Sequence, residues 1–302
     1  MSIEDLKRVD SRPVFDNRDE IRAFMVVGND MLRLESVLKH HRQLGVGRFF
    51  VVDRGSTDGT LDHLAAAPDV HVFSATGDVG MTAINALLDK YGDGHWSLTI
   101  DADELFIYPH YEELELRLFC RYLDHVKAQA VPCVSIDMYA ASPIRDSVHR
   151  PGAPLPGTCG YFDAAPYDMI RTPDCPYFEI HGGLRRRAFG EKPIHQSPVL
   201  SRVPLVRWKS GMRYLRGTGN MTPVTLANIL GALLRFEFLS DFADRPEDGM
   251  ALGGGLSTNL YSDASVRFEN SAQLVELGLM KTSKAYEDSV QITSAARSAR
   301  SA

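Results

Sequence analysis

The first 110 or so residues alternate between short apolar runs and stretches with helical periodicity. The runs IRAFMVV (Ile21 to Val27), FFVV (Phe49 to Val52) and WSLTI (Trp96 to Ile100) have the length and the continuous apolar character of buried parallel strands. Amphipathic stretches and turn residues separate them, with Gly45 where a helix would end. Strands that alternate with helices predict an α/β fold with a mixed, mainly parallel sheet flanked by helices.

Three of the predicted strands end next to a polar side chain: Asn29, Asp53 and Asp101. Open sheets of parallel strands bind their ligands beyond the carboxyl ends of the strands. We therefore expect these three side chains to meet at one edge of the sheet and to form a binding site there.

The acidic triplet Asp101-Ala102-Asp103 directly follows a predicted strand. Two carboxylates one residue apart suit a divalent cation that bridges phosphate groups, so Mn²⁺ or Mg²⁺ is the predicted cofactor. The alternative is an acidic turn without a ligand, because such triplets are common. The preceding strand and the upstream Asp53 favour the metal site, and Glu104 would orient an arginine or a metal-bound water.

The stretch VVDRGSTDGT (Val51 to Thr60) is the second candidate site. Asp53 at a strand end can accept hydrogen bonds from a nucleobase or a ribose, and the following turn begins a helix. A capped turn without a ligand would also explain Ser56, Thr57 and Asp58, but it explains Asp53 poorly. No GxGxxG or GxxxxGKS/T motif is present, which argues against Rossmann cofactors and P-loop chemistry.

Composition narrows the class of protein further. The chain has 302 residues, 44% of them hydrophobic, and a formal net charge of -6, so it has no overall attraction to nucleic acid. Its four cysteines form no CxxC pair, and free thiols are expected. The acidic N-terminus lacks a signal sequence, and no run reaches the roughly 18 apolar residues of a membrane span. These features predict a cytoplasmic protein and are compatible with peripheral contact at the inner face of a membrane.

Several segments, in order, carry a resemblance to a known family. GNDMLRLESVLKHHRQLGVGRFFVVDRGSTDGT and LTIDADELFIYP are similar to family 2-type glycosyltransferases of the GT-A fold, in the bacterial branch whose acidic motif is DxDE. Three later segments resemble the same branch: GGLRRRAFG, VPLVRWKSGMRY and GALLRFEFLSDF. The resemblance covers roughly residues 20 to 260.

The resemblance implies a GT-A-like fold and a nucleotide-diphosphate sugar as donor. It places Asp53 at the base or ribose, Asp101 at the ribose or metal, and Asp103 at the metal and diphosphate. Arg185 and Arg187 become candidates for contact with phosphate or acceptor. The complete set of predicted nucleotide-sugar-binding residues is Asn29, Asp53, Asp58, Asp101, Arg185 and Arg187, and the predicted metal ligands are Asp101 and Asp103.

The chain departs from the branch at informative positions. The first strand ends in Gly-Asn-Asp instead of Arg-Asn-Glu, and Arg54 follows Asp53. Histidines expected near residues 217–220 and at Arg235 are absent. A third metal ligand would then be Asn220, His195 or a water, or an arginine would replace part of the metal's charge.

An inverting transferase also needs a carboxylate that accepts the proton of the acceptor hydroxyl. Glu179 and Glu191 lie in the region where such a base is expected, although each could equally be an ordinary salt-bridging residue. The catalytic base is therefore unknown, with these two residues as candidates.

The predicted domains are a lead-in (1–18), a glycosyltransferase domain (19–250) and a C-terminal helical extension with a tail (251–302). The glycosyltransferase domain is predicted to consist of a nucleotide-binding half (19–110) and an acceptor half (111–250). In the acceptor half and the extension, the patterns predict a Pro-rich loop over 140–176, a hairpin over 199–217, helices over 225–242 and 272–286, and a frayed tail from Ser289.

We thus expect a glycosyltransferase that uses a saccharide or lipid-linked acceptor, with inversion, in surface polysaccharide or glycolipid assembly. A catalytically weak or inactive relative that acts as a binding protein is the main alternative. A nucleotidyltransferase that makes the activated sugar is disfavoured, because the first strand is not followed by a Gly-rich loop with a lysine.

Overall fold

The computed structural model describes residues 6–75, 80–188, 197–244 and 257–301. Thirteen strands lie within these ranges: β1 (Lys7–Arg8), β2 (Ile21–Val27), β3 (Val46–Asp53), β4 (Val70–Ser74), β5 (Trp96–Thr99), β6 (Glu104–Ile107), β7 (Ala130–Asp137), β8 (Tyr161–Asp163), β9 (Tyr167–Arg171), β10 (Phe178–Gly182), β11 (Ser201–Arg207), β12 (Gly231–Arg235) and β13 (Ser265–Arg267).

The α-helices of the described ranges are α1 (Met31–Leu44), α2 (Thr60–Ala66), α3 (Gly80–Leu87), α4 (Leu116–His125), α5 (Leu155–Thr158), α6 (Gly183–Ala188), α7 (Ser271–Glu276) and α8 (Lys284–Ser301). None of them is both long and apolar enough to cross a membrane.

Nine of these strands form one mixed sheet in the order β1-β4-β3-β2-β5-β11-β7-β12-β6. The strands β4, β3, β2 and β5 run parallel to one another. Alternate residues of β2 enter two apolar clusters, with Met25 in one and Phe24 in the other, because helices cover both faces of the sheet. The predicted α/β class, with a mixed, mainly parallel sheet flanked by helices, is confirmed, and the four adjacent parallel strands lie in the first 110 residues.

The second half of the sheet combines both directions. β11 lies antiparallel between β5 and β7, and β12 runs parallel to β7 and antiparallel to the edge strand β6. In this register Arg235 of β12 lies opposite Glu104 of β6 and beside Asp137 of β7. One row across three strands therefore carries three ionisable side chains.

The prediction of a helix over residues 225–242 is wrong. Gly231–Arg235 is a strand, and its residues from Gly231 to Leu234 are buried because β7 and β6 flank it on both sides. A continuous apolar run does not distinguish a buried strand from a buried helix. The predicted hairpin over 199–217 is also wrong in its pairing, because β11 pairs with β5 and β7 instead of with the chain beyond Ser210.

The C-terminal region differs from its prediction as well. The single helix expected over 272–286 is two helices, α7 and α8, separated by a segment in which Gly278 has a φ of 74°. The tail beyond Ser289, expected to fray, continues α8. Tyr286 of α8 is fully buried and donates a hydrogen bond to the carbonyl of Pro109 at 2.6 Å, so the extension packs on the chain that follows β6.

The Pro-rich loop over 140–176 contains the short elements α5, β8 and β9. β8 pairs with β13, and β9 pairs with β10, in two small sheets. The local composition of this stretch does not predict that its strands pair with distant strands.

Candidate functional site

The ends of β2 and β3 lie side by side, since Val27 pairs with Asp53. Beyond them, the backbone N–H of Asn29 donates to Ser56 Oγ at 3.0 Å, and Asn29 Oδ1 accepts from the N–H of Thr57 at 2.7 Å. Asn29 has a φ of 58°, a left-handed conformation that asparagine tolerates better than most residues. The structure thus brings Asn29 and the turn after Asp53 together, and both loops form one rim.

Asp53 is buried at the base of this rim, with an exposed fraction of 1%. Its Oδ2 accepts hydrogen bonds from the N–H groups of Gly55 at 2.9 Å and Ser56 at 3.1 Å. Its Oδ1 is buried and has no hydrogen-bond partner among the described residues. Because buried polar atoms of proteins almost always have a partner, this oxygen indicates a place for a ligand or an ordered water.

Asp58 stabilises the starts of two helices. Its Oδ2 accepts from the N–H of Met31 at 3.0 Å, and its Oδ1 accepts from the N–H of Thr60 at 3.0 Å. Burial alone would raise the pKa of Asp58, but the hydrogen bonds from Thr60 and Met31 lower it overall. These contacts are those of the capped turn, and contact of Asp58 with a donor stays a prediction.

The acidic motif forms a tight turn between β5 and β6. The N–H of Asp101 donates to Glu104 Oε2 at 3.0 Å, and the N–H of Glu104 donates to the carbonyl of Asp101 at 3.2 Å. Asp101 is exposed, whereas Asp103 and Glu104 are buried. Burial, followed by the charges of Asp101 and Asp103, raises the pKa of Glu104 to about 8. Glu104 therefore holds the turn in shape. The N–H of Ile100, just before the motif, donates to the carbonyl of Phe24, so the turn begins beside strand β2.

Arg185 of α6 lies in a buried ion-pair network. Its Nε and Nη2 donate to the two carboxylate oxygens of Asp137, both at 2.8 Å, and its Nη2 also donates to Glu237 Oε2 at 2.6 Å. Burial alone would lower the pKa of Arg185, but the paired Asp137 raises it overall. In the structure Arg185 therefore has two carboxylate partners, and its contact with phosphate or acceptor stays a prediction.

Arg235 lies beside the acidic motif, a position that the sequence did not reveal. Its Nε lies 3.7 Å from Asp103 Oδ2, and its Nη2 lies 3.4 Å from Glu237 Oε2. The side chain is 16% exposed, compared with 3% for Asp103. A signal was present in the sequence, because Arg235 stands where the resemblance to the DxDE branch predicts histidine.

Arg187 belongs to a different cluster. Its Nε and Nη2 donate to Asp163 at 2.7 and 2.9 Å, and Nη2 also donates to the carbonyl of Leu260 at 2.6 Å. The same carboxylate accepts a short hydrogen bond from the hydroxyl of Tyr139. These contacts join β8 to the chain before β13, and binding of a donor or acceptor by Arg187 stays a prediction.

Of the two candidate bases, only Glu179 lies in the described residues; Glu191 falls outside them, as does His195. The side chain of Glu179 is 43% exposed, and its Oε2 lies 3.4 Å from Nε2 of the buried His181. Nδ1 of His181 has no partner among the described residues. Glu179 and His181 thus form a carboxylate–imidazole pair on β10.

The acidic motif is also the predicted cation site. The described residues contain no group of three or more His, Cys, Asp or Glu side chains that could hold a metal ion. The motif supplies only Asp101 and Asp103, and the carboxylate of Asp103 already faces the guanidinium of Arg235. Asn220, another predicted ligand, contributes its backbone carbonyl to the N–H of Leu215 at 2.9 Å. Binding of Mn²⁺ or Mg²⁺ at Asp101 and Asp103 therefore stays a prediction.

Neither a protein-family model nor a curated protein matches this chain significantly. Among solved structures, the fragment 1–349 of TarS from S. aureus is similar, with 17% identity over 40% of this chain and 36% of that chain, at a TM-score of 0.30. The aligned part covers 22% of a longer TarS structure. UTP-bound UGPase from Acinetobacter baumannii shares 10% identity over 62% of this chain and 75% of that chain, at a TM-score of 0.33. These are distant likenesses of architecture.

Proposed function

We propose that this protein is a glycosyltransferase that transfers a sugar from a nucleotide-diphosphate donor to a saccharide or lipid-linked acceptor. The observation that carries the proposal is the buried Oδ1 of Asp53, which lacks a partner among the described residues at the carboxyl end of a parallel strand. A carboxylate oxygen in this position suits an N–H of a nucleobase or a hydroxyl of a ribose.

The rest of the donor would extend from Asp53 along the sheet edge towards the acidic turn. Asn29 borders the nucleoside end, and the exposed Asp101 follows the end of β5, the strand that pairs with β2. The diphosphate would then lie near the acidic turn, where Arg235 is beside Asp103. The unpartnered Oδ1 of Asp53 supports the nucleoside end of this arrangement.

The reaction itself is a displacement at the anomeric carbon. The acceptor hydroxyl oxygen forms a bond to that carbon while the bond to the phosphate oxygen breaks, and the electron pair leaves with the nucleoside diphosphate. A carboxylate takes the hydroxyl proton; Glu179, which pairs with His181, and Glu191 are the candidates. A single displacement inverts the configuration of the sugar, and arginine side chains stabilise the charge on the leaving group.

The acceptor class and the setting are further parts of the proposal. We place the activity in surface polysaccharide or glycolipid assembly at the cytoplasmic face of a membrane, with peripheral contact. A protein that binds the donor without turning it over is the second candidate. Binding of nucleotide sugars with no product formed, whichever acceptor is added, would favour it.

Nucleotide binding tests the donor site directly. UDP and GDP, each with and without Mn²⁺, are expected to raise the melting temperature of the wild-type protein, because a ligand that binds only the folded state stabilises it. Asp53→Asn should fold normally and bind about 10- to 100-fold more weakly, as loss of a hydrogen bond to a charged group costs about 1.5–3 kcal/mol. Asp19→Asn is the matched control, since the Asp19 side chain is 74% exposed.

The proposal fails if none of the nucleotides stabilises a correctly folded wild-type protein. It also fails if Asp53→Asn and the Asp19→Asn control bind them equally well.

A further inference from the structure

The imidazole of His181 is bonded differently from those of two other buried histidines, His41 and His149. In these two, both ring nitrogens have a hydrogen-bond partner inside the protein. The side chain of His181 is 3% exposed, yet its Nε2 bonds only Glu179 Oε2, at 3.4 Å, and its Nδ1 has no partner among the described residues. Polar atoms buried in a protein almost always have a partner. The only side chain that the ring of His181 is seen to hold is thus a carboxylate at the surface.

Two glycines fix the backbone directly after this imidazole. Gly182 has a φ of 140°, and a Cβ atom there would lie 2.1 Å from the carbonyl oxygen of Pro166. Gly183 has a φ of 59°, and its Cβ atom would lie 2.5 Å from the hydroxyl of Tyr167. Glycine is favoured at both positions because any side chain would clash with the neighbouring chain. The end of β10 is therefore packed closely against the start of β9, and His181 is held in place.

The carboxylate of Glu179 is accessible, in contrast to the imidazole. Its side chain is 43% exposed. A second carboxylate, that of Asp168, stands opposite His181 in the register of β9 and β10, but it pairs with Arg186 of α6. Among the described residues, Nε2 of His181 therefore bonds Glu179 and not Asp168.

A row of contacts joins this hairpin to the acidic motif. Arg185, in the helix that follows His181, donates to Glu237 Oε2 at 2.6 Å. The same oxygen lies 3.4 Å from Arg235 Nη2, and Arg235 Nε lies 3.7 Å from Asp103 Oδ2. The β9–β10 hairpin and the proposed donor site thus belong to one connected region of the protein.

We propose that Glu179 is the base of the transfer reaction and that His181 positions it. This inference rests on the proposed function and chooses between the two carboxylates considered there. The acceptor oxygen bonds to the anomeric carbon as the bond to the leaving phosphate oxygen breaks, and the hydroxyl proton passes to the carboxylate of Glu179. The N–H at Nε2 of His181 holds Oε2 of this carboxylate, which leaves Oε1 to take the proton.

Cleavage of UDP-glucose, GDP-mannose and dTDP-glucose, with water and with a methyl glycoside as acceptors, tests the assignment of the base. Glu179→Gln should lower kcat about 100-fold and change KM for the donor by less than about threefold, since general-base catalysis acts on the chemical step. Asp168→Asn is the matched control, because its side chain lies on the same hairpin and is 50% exposed; it should keep the wild-type kcat.

Three outcomes decide about the base. Wild-type kcat in Glu179→Gln overturns the inference and leaves the proposed function intact. A loss of kcat in Glu191→Gln that Glu179→Gln does not show also overturns it, in favour of the other carboxylate. No cleavage of any of the three donors by folded wild-type protein contradicts the proposed function, and the inference with it.

A double-mutant cycle tests the positioning role of His181. His181→Ala should lower kcat about tenfold in the wild-type background and by less than about twofold in Glu179→Gln, because it acts only through the base. His181→Gln has an amide N–H that replaces the one at Nε2, so it should recover part of the lost rate. This variant also covers an alanine variant that fails to fold. Equal losses in the two backgrounds would show a purely structural role and overturn the assignment of His181.

Discussion

Nε2 of His41 lies 3.2 Å from the backbone nitrogen of Phe106 and accepts its hydrogen bond. Nδ1 of His41 bonds the carbonyl of Val37 at 2.8 Å, so the imidazole is neutral and carries its proton on Nδ1. The adjacent His40 bonds the carbonyl of Phe106 through Nε2 at 2.9 Å. Two side chains of α1 therefore complete the hydrogen bonds of the edge strand β6, immediately after the acidic turn.

Replacing this imidazole should destabilise the protein. In His41→Leu the buried N–H of Phe106 loses its acceptor, which costs about 1–3 kcal/mol in the free energy of unfolding. Urea denaturation measures the effect, and His125→Ala at an exposed position serves as control. An unchanged free energy of unfolding in His41→Leu would show that the bond to Phe106 contributes nothing.

Acid pH should destabilise the protein through its buried histidines. Burial lowers the pKa of His40, His41 and His71 below the ordinary value. At His41 the neighbouring His40 lowers the pKa further. The unfolded chain then takes up protons near pH 6.5 while the folded protein does not, so stability is full above that pH and falls as the pH drops below it.

Each such histidine contributes a slope of up to about 1.4 kcal/mol per pH unit. Free energies of unfolding at pH 7.5 and 5.5 measure the sum, and the difference should be smaller in His41→Gln. Equal stability at the two pH values would contradict the assignment of these imidazoles as neutral.

Arg33 of α1 should be among the most sensitive positions. Its side chain is fully buried, donates to the carbonyls of Phe236 and Glu237 at 2.7 and 3.0 Å, and pairs with both oxygens of Asp241. Arg33→Met leaves these acceptors without donors and should cost about 3–5 kcal/mol. Arg42→Met is the comparison, since the Arg42–Asp69 pair lies at the surface and should contribute about 0–1 kcal/mol. Equal losses in the free energy of unfolding of the two variants would argue against a large contribution from the buried contacts of Arg33.

Tyr286 tests whether the C-terminal extension belongs to the folded core. Tyr286→Phe removes the hydrogen bond to Pro109 while keeping the ring that packs on Phe119, and it should cost about 0.5–1.5 kcal/mol. Tyr261→Phe, at a side chain that is 45% exposed, should have no measurable effect. Thermal and urea unfolding of both variants provide the measurement, and no loss in Tyr286→Phe would mean that α8 contributes little.

The parallel strands could be predicted from sequence because their periodicity is local. Each apolar run up to Trp96–Ile100 ends where the chain turns, and this placed Asn29 and Asp53 at one edge before the structure was known. Strand β12 could not be predicted in the same way. Its burial depends on β7 and β6 on either side, and the letters GALLR fit a buried helix as well as a buried strand.

The partners of the arginine side chains could not be predicted from sequence for a similar reason. Arg185 meets Asp137 and Glu237, which lie 48 and 52 residues away along the chain. In a row of three arginines, sequence alone does not tell which side chains pair with buried carboxylates. Sequence could mark Arg235 as unusual at its position, but only the register of β12 with β6 brings it to Asp103.

Turnover of nucleotide sugars tests the central claim most directly. Wild-type protein and Asp53→Asn would be incubated with a panel of UDP-, GDP- and dTDP-sugars, in EDTA and in Mn²⁺, and release of the nucleoside diphosphate would be measured. We predict that the wild-type protein cleaves at least one donor and that Asp53→Asn does so at least tenfold more slowly at a subsaturating concentration of that donor. Equal rates in the two proteins, or no cleavage of any donor by a folded protein with and without saccharide acceptors, would contradict the account.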